Sequence, residues 1–146
     1  MNLFVLDTDH ISLILRGDRR IIDRLQSLDK NQWAVTIISI QEVFNGWVVK
    51  LNDPRFKDQQ VALYTRFWNS NAFFQQAQVL NFDSAAESCY DRLIVIHPDL
   101  SKRRIEKDVK IAAIALANQG TIVTRNQHDF MLVPRLKLEN WAIDIP

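Results

Sequence analysis

Cysteine occurs once in this chain, at Cys89, so no disulfide can close within it. A stapled framework is excluded, and a reducing cytosol is the expected setting. Cys89 reads as a small packing residue of a helix. Glycine is scarce, at three residues, and there are only four prolines. Long flexible linkers are therefore not expected. No apolar run approaches the roughly 18 residues of a membrane span. The nearest, Ile111 to Ala117, is a short piece of buried helix. Met1-Asn2-Leu3-Phe4-Val5-Leu6-Asp7 has no basic n-region, so no signal peptide is read there. An excess charge of one sign is also missing. The formal net charge is +1, and global charge names no partner. His10, His97 and His128 lack the spacing of a zinc site. There is no Gly-rich phosphate loop, and no Ser-His-Asp order stands out.

What is present fits one domain spanning 1–146 with a single core. The chain is 47% hydrophobic and 24% charged, ordinary for a globular protein. Leu3 to Leu6 is a continuous apolar run, the mark of a strand buried on both faces. A short helix around Ile11 to Leu15 should end at Gly17, and a second should run from Arg19 to Leu28. Trp33 to Ile38 predicts another strand, and Ser39 opens a helix that Asp53-Pro54 breaks. A long helix covers Lys57 to about Phe74, with Val61, Tyr64 and Trp68 on one stripe. Gln78 to Phe82 predicts a third strand, and Ser84 starts a helix that Pro98 ends. Asp108 to Asn118 is apolar almost all round, hence a buried helix, with Gly120 as its C-cap. Thr121 to Thr124 and Trp141 to Ile145 complete five strands. Strands alternating with helices predict an α/β/α sandwich around a parallel sheet of four to five strands.

Several acidic or amide residues follow strand ends or open helices. In an open parallel sheet those positions face one crevice. Carboxylates gathered there repel by roughly 4 kcal/mol per pair at about 4 Å and an effective dielectric of about 20. A hard divalent cation bound through oxygen, Mg²⁺ or Mn²⁺, would relieve that repulsion. Each residue also has a plainer reading. Asp7 can be a helix N-cap, although Asp9 could fill that role. Glu42 fits a capping box, Ser39-Ile40-Gln41-Glu42. Asp108 in a first helical turn is favoured by the helix dipole. Asn126 and Asp129 suit a turn, and Asn126 can offer a carbonyl oxygen to a metal or its water. Ser101 to Lys110 carries five basic residues against two acidic ones. It is either a solvated face or a track for a phosphate backbone.

Four motifs together resemble the PIN-domain family, specifically the VapC-type toxin ribonucleases of toxin–antitoxin pairs. They are Leu6-Asp7-Thr8-Asp9-His10-Ile11-Ser12, Ser39-Ile40-Gln41-Glu42-Val43-Phe44-Asn45-Gly46, Asp108-Val109-Lys110-Ile111-Ala112-Ala113-Ile114-Ala115 and Thr121-Ile122-Val123-Thr124-Arg125-Asn126-Gln127-His128-Asp129-Phe130. The resemblance covers nearly the whole chain, with the motifs in the family's order. It implies a cytoplasmic, Mg²⁺- or Mn²⁺-dependent endoribonuclease with Asp7, Glu42 and Asp108 as metal-binding catalytic acids. Asn126 stands where the family often has Asp, and Asp129 in the same loop could supply the missing charge. Thr8, Ser12 and Thr124 match the family's small hydroxyl positions. Lys102, Arg103, Arg104, Lys107 and Arg125 would hold the RNA backbone. A VapB-like antitoxin is the implied partner. The aromatic helix at Lys57 to Phe74 offers a surface for it or for a homodimer. A housekeeping RNA-processing nuclease is a second reading, and a PIN-like binding module without catalysis a third.

Overall fold

The structure, a computed structural model, describes residues 2–143. Strands β1 (Leu3–Leu6), β2 (Trp33–Thr36), β3 (Val79–Leu80), β4 (Gly120–Val123) and β5 (Lys137–Glu139) form one parallel sheet. Its order is β3-β2-β1-β4-β5. The helices are α1 (Thr8–Leu15), α2 (Arg19–Gln26), α3 (Ile37–Leu51), α4 (Gln60–Gln76), α5 (Ser84–Ile96), α6 (Glu106–Ala117) and α7 (Gln127–Phe130). The expected α/β/α sandwich is therefore what forms.

Successive side chains on a strand point to opposite faces. On β1, Val5 enters a core with Leu93 of α5 and Ile111 and Ile114 of α6. Phe4 and Leu6 enter the opposite core with Ile11, Ile21, Val43 and Phe74 of α1 to α4. Both faces are covered, which is why β1 reads as unbroken apolar sequence. Because β1 is central, the chain builds outward on one side through β2 and β3, then crosses to the other with β4 and β5. The sheet order reverses at β1, and the crevice outside the carboxyl ends of β1 and β4 is where such sheets place ligands.

Several boundaries differ from expectation, each for a local reason. Helix α1 begins at Thr8, immediately after the strand. Helix α3 begins at Ile37 because Thr36, extended at the end of β2, is its N-cap and accepts from Ser39 N at 3.1 Å. The capping box of Ser39 with Glu42 is thereby overturned, and Glu42 lies in the helix beyond the cap. The segment Pro54–Gln59 is a 3₁₀ turn capped by Asp53, and α4 starts only at Gln60. Gly120 does not cap α6 but opens β4. The left-handed residue after α6 is Gln119, at φ 53°. Gly120 is needed for a close approach: a Cβ there would stand 2.8 Å from Val5 Cγ2. Gly17, by contrast, does adopt the left-handed conformation after α1, at φ 85°.

The fifth strand is Lys137–Glu139, not Trp141 to Ile145. Charged flanks suit an edge strand. Trp141 instead packs edge-on against Phe4, ring centroids 5.4 Å apart, and Asp144 and Ile145 lie outside the described residues. On α4, Leu63 and Phe74 are buried while Val61, Tyr64 and Trp68 face outward. Among the described residues no helix is long and apolar enough to cross a membrane.

Candidate active site

Asp7 leaves β1 at the switch point in an extended conformation and is the N-cap residue of α1, without a side-chain capping bond. The plain capping reading therefore does not occupy its carboxylate. Its backbone N–H is instead bound to Val123 O at 2.9 Å, continuing the β1–β4 pairing past the strand. That contact sets Thr124 beside it. The Thr124 hydroxyl donates to Asp7 Oδ2 at 2.8 Å and lies 3.2 Å from Asp9 Oδ2. Asp7 is only 5% exposed, and among the described residues no ion pair reaches it. Burial, and then the nearby Asp9, push its pKa up to about 7; Asp108 adds to the rise.

Asp9 does more than the sequence suggested. It accepts from the backbone N–H of Arg125 at 3.0 Å and pairs through Oδ1 with His10 Nδ1 at 2.7 Å. Burial raises its pKa, but His10, Arg125 N–H and Thr124 together hold it below the ordinary value. His10 is fully buried, and its other nitrogen, Nε2, accepts from Trp141 N–H at 3.1 Å. An acceptor Nε2 requires the proton on Nδ1, so this is neutral imidazole donating to Asp9. One carboxylate thus joins the start of α1, the loop after β4 and the segment after β5.

Asp108 sits in the first turn of α6, as expected. Burial raises its pKa to about 6, followed by repulsion from Glu42 and from Asp129, with Arg104 acting the other way. Asn126 Nδ2 donates to Asp108 Oδ2 at 3.3 Å and to Asp129 Oδ2 at 3.2 Å. Its carbonyl oxygen caps α7 by accepting from Asp129 N. Asn126 therefore presents donors, not its carbonyl, to the acids. Asp129 is gripped by the Arg104 guanidinium through three contacts of 3.2 Å, which hold its carboxyl below the usual range. Its charge is already answered, and so is that of Arg104.

Glu42 is held by Thr8, whose Oγ1 lies 2.9 Å from Glu42 Oε1 and 3.0 Å from Ser39 Oγ. Ser12 lines the same cleft as Thr8 and Glu42. Lys102, Arg103 and Lys107 are exposed on the 3₁₀ turns and helix start that carry Asp108, anchored by buried Leu100 and Ile105. The Arg125 side chain is exposed as well.

The donor set is oxygen only: carboxylates and hydroxyls, with both His10 nitrogens already engaged. That chemistry fits a hard divalent cation such as Mg²⁺ or Mn²⁺. A buried carboxylate with no cationic partner fits it too. As placed, however, no three His, Cys, Asp or Glu side chains among the described residues stand close enough to hold a metal ion. Mutual repulsion of Asp7, Asp108 and Glu42 is the physical reason to expect such spacing.

Beside Glu42 lies a cleft of about 560 Å³ that the sequence did not disclose. Three helix faces line it. Thr8 and Ser12 of α1 and Arg16, its C-cap, follow at i, i+4 and i+8. Glu42, Gly46 and Lys50 do the same on α3, and Arg66 and Asn69 come from α4. The spacing on each helix was visible, but nothing in the sequence places the three helices side by side.

The fold is PIN-like. It is the fold of solved VapBC complexes. Neither the comparison with protein-family models nor that with curated sequences gives a match. Among solved structures, a chain of DNA-bound VapBC from Salmonella typhimurium superposes with a TM-score of 0.78 at 20% identity, covering 97% of this chain and 99% of that one. A chain of VapBC2 from Rickettsia felis, bound to a DNA fragment from the pair's promoter, gives 0.76 at 21%, covering 95% and 98%. FitAcB from Neisseria gonorrhoeae gives 0.73 at 22%, covering 95% and 98%. At these identities the likeness establishes the shared fold.

Proposed function

We propose that this chain is a cytoplasmic, divalent-metal-dependent endoribonuclease, the toxin of a VapBC-type pair, held in check by a VapB-like antitoxin and able to form a homodimer. The observation that carries the reading is Asp7: a buried carboxylate at the switch point, with no ion-pair partner among the described residues, beside Asp9 and Asp108. The full-length likeness to chains of VapBC complexes supports the toxin role.

Asp7, Asp108 and Glu42 are the residues that would hold Mg²⁺ or Mn²⁺. Once bound, such an ion supplies water activation and charge stabilisation at a phosphate. Thr124 orients the Asp7 carboxylate through Oδ2, and Thr8 orients Glu42. Asn126 bridges Asp108 and Asp129 by donating to both. Lys102, Arg103, Lys107 and Arg125 are exposed on segments adjoining Asp108 and Thr124 and would hold the RNA backbone. Arg104 contributes less directly, since it is engaged by Asp129.

A second reading, a PIN-like binding module, draws on Asn126, which brings an amide where a fourth acid would add charge. A cleavage assay separates the two. Single-stranded RNA should be cut with Mg²⁺ or Mn²⁺, not with chelator, and not by Asp108→Asn. Equal cleavage by wild type and Asp108→Asn would refute the nuclease assignment, and no cleavage with either metal would favour the module.

A further inference from the structure

Of the acids, Glu42 alone also lines the neighbouring cleft. That cleft lies between α1, α3 and α4, and none of Lys102, Arg103 and Lys107 lines it. Three cations line it, Arg16, Lys50 and Arg66, against the single carboxylate Glu42. None of the three forms an ion pair among the described residues, whereas Arg19, Arg24, Arg55 and Arg104 all do. Lys50 instead rests over the Trp47 ring, its Nζ 5.5 Å from the centroid. The floor is left open at Gly46, where a built Cβ would meet nothing within 4 Å. A glycine within a helix costs about 1 kcal/mol relative to alanine. Here it preserves space rather than a turn. Asn69 adds an amide to the wall.

Cations on three separate helices suit a ligand whose negative charges recur along its length. The cleft volume lies within the roughly 300–1,000 Å³ of small-ligand sites, too confined for a duplex. We propose that this cleft is a second RNA-binding subsite. It takes the single-stranded backbone beyond Glu42, apart from Lys102 and Arg103, with Arg16, Lys50 and Arg66 contacting phosphates. This rests on the nuclease reading, since the strand would pass Glu42 on its way from the acids. An acidic peptide segment is the competing occupant.

The test uses the full chain with a short fluorescent single-stranded oligoribonucleotide, with chelator present to prevent turnover. Affinity is read by anisotropy across a salt series. Each phosphate contact on a single strand contributes about 0.7 to the slope of log K against log salt. Arg16→Ala/Lys50→Ala/Arg66→Ala should therefore lower the slope by about 2. All three side chains are exposed, so the variant should fold. Gly46→Leu tests the space without touching charge: it should weaken binding while slightly stabilising α3. An unchanged slope in the triple variant, with wild-type affinity in Gly46→Leu, overturns the subsite. If Lys102→Ala/Arg103→Ala still lowers the slope, the nuclease reading survives that failure. Absence of RNA binding by the wild type sinks both. Displacement by a polyglutamate peptide that needs the three cations, with RNA affinity unaffected by their loss, assigns the cleft to an acidic partner and overturns the proposal.

Discussion

Replacing Asp7 by Asn should make the metal-free protein more stable at pH 8, and the size of the gain follows from burial. Asp7 is 5% exposed, and its pKa rises from 3.8 to about 7 in the fold, burial contributing most. The folded state keeps this proton up to about pH 7, whereas the unfolded chain releases it near 3.8. Between those values the folded state binds more protons, so stability falls as pH rises. The rise in pKa corresponds to about 4 kcal/mol once Asp7 is ionised in both states. Asp108 acts with the same sign over a narrower window, up to about pH 6. Asp9 and Asp129 act oppositely. Their carboxyls are held below 3.8, so their contribution is present above that value and is lost only as pH falls further. Apo stability should therefore be greatest near pH 4. Asn keeps an acceptor for the Thr124 hydroxyl and carries no charge. At pH 8, Asp7→Asn should gain up to about 4 kcal/mol, on the order of 10 °C in Tm for a chain of this size. At pH 4 the two proteins should nearly coincide, the gap opening steadily from there to pH 7. Mg²⁺ at about 100 times its Kd should add roughly 2.7 kcal/mol to wild type and far less to the variant. Thermal melts in chelator across pH decide it. Parallel pH profiles for the two proteins would refute the argument.

Three further expectations concern other positions. Asn126→Asp removes a donor shared by Asp108 and Asp129 and sets a third carboxylate against them; it should lower apo stability by roughly 1–3 kcal/mol, yet lower the Mg²⁺ or Mn²⁺ concentration at half-maximal cleavage. An unchanged metal midpoint would place position 126 outside the ion's reach. Gly120→Ala forces a Cβ to 2.8 Å from Val5 Cγ2 in the fully buried central strand; urea unfolding should show a loss of roughly 1–3 kcal/mol, and wild-type stability would mean that β1 yields easily. His10→Ala strands the Trp141 N–H and empties a fully buried site, for an expected loss of roughly 2–5 kcal/mol, with quenching or shift of Trp fluorescence as a second readout.

Much of the sandwich was legible because its strands are buried on both faces. Leu3 to Leu6 and Thr121 to Val123 have no polar residue to disguise the pattern except Thr121. The edge was not legible. Lys137-Leu138-Glu139 pairs with β4 through its backbone, which polar sequence conceals, while Trp141 and Ile143 look more strand-like and do not pair. Near the acids, Thr36 and Ser39 stand close together in sequence at the start of α3, and periodicity cannot say which one caps. Thr36 caps, which frees Ser39 and Glu42 to face Thr8. Asp9 looked like a spare cap because its partners, Thr124 and Arg125, lie more than a hundred residues away. Long-range convergence of this kind leaves no local trace.

The central place of β1 also fixes when the acids can come together during synthesis. Its two neighbours arrive at very different times: β2 begins at Trp33, but β4 only at Gly120, in register with Leu3. Until β4 emerges, Asp7 has no Thr124 hydroxyl, Asp9 has no Arg125 amide, and the last apolar wall of the strand is missing. Asp108 leaves the ribosome barely earlier. Closing so long a loop is entropically slow. A nascent chain thus carries Asp7 for 117 residues before Thr124 emerges to bind it. For a protein that would attack RNA beside its own ribosome, topology alone imposes the delay.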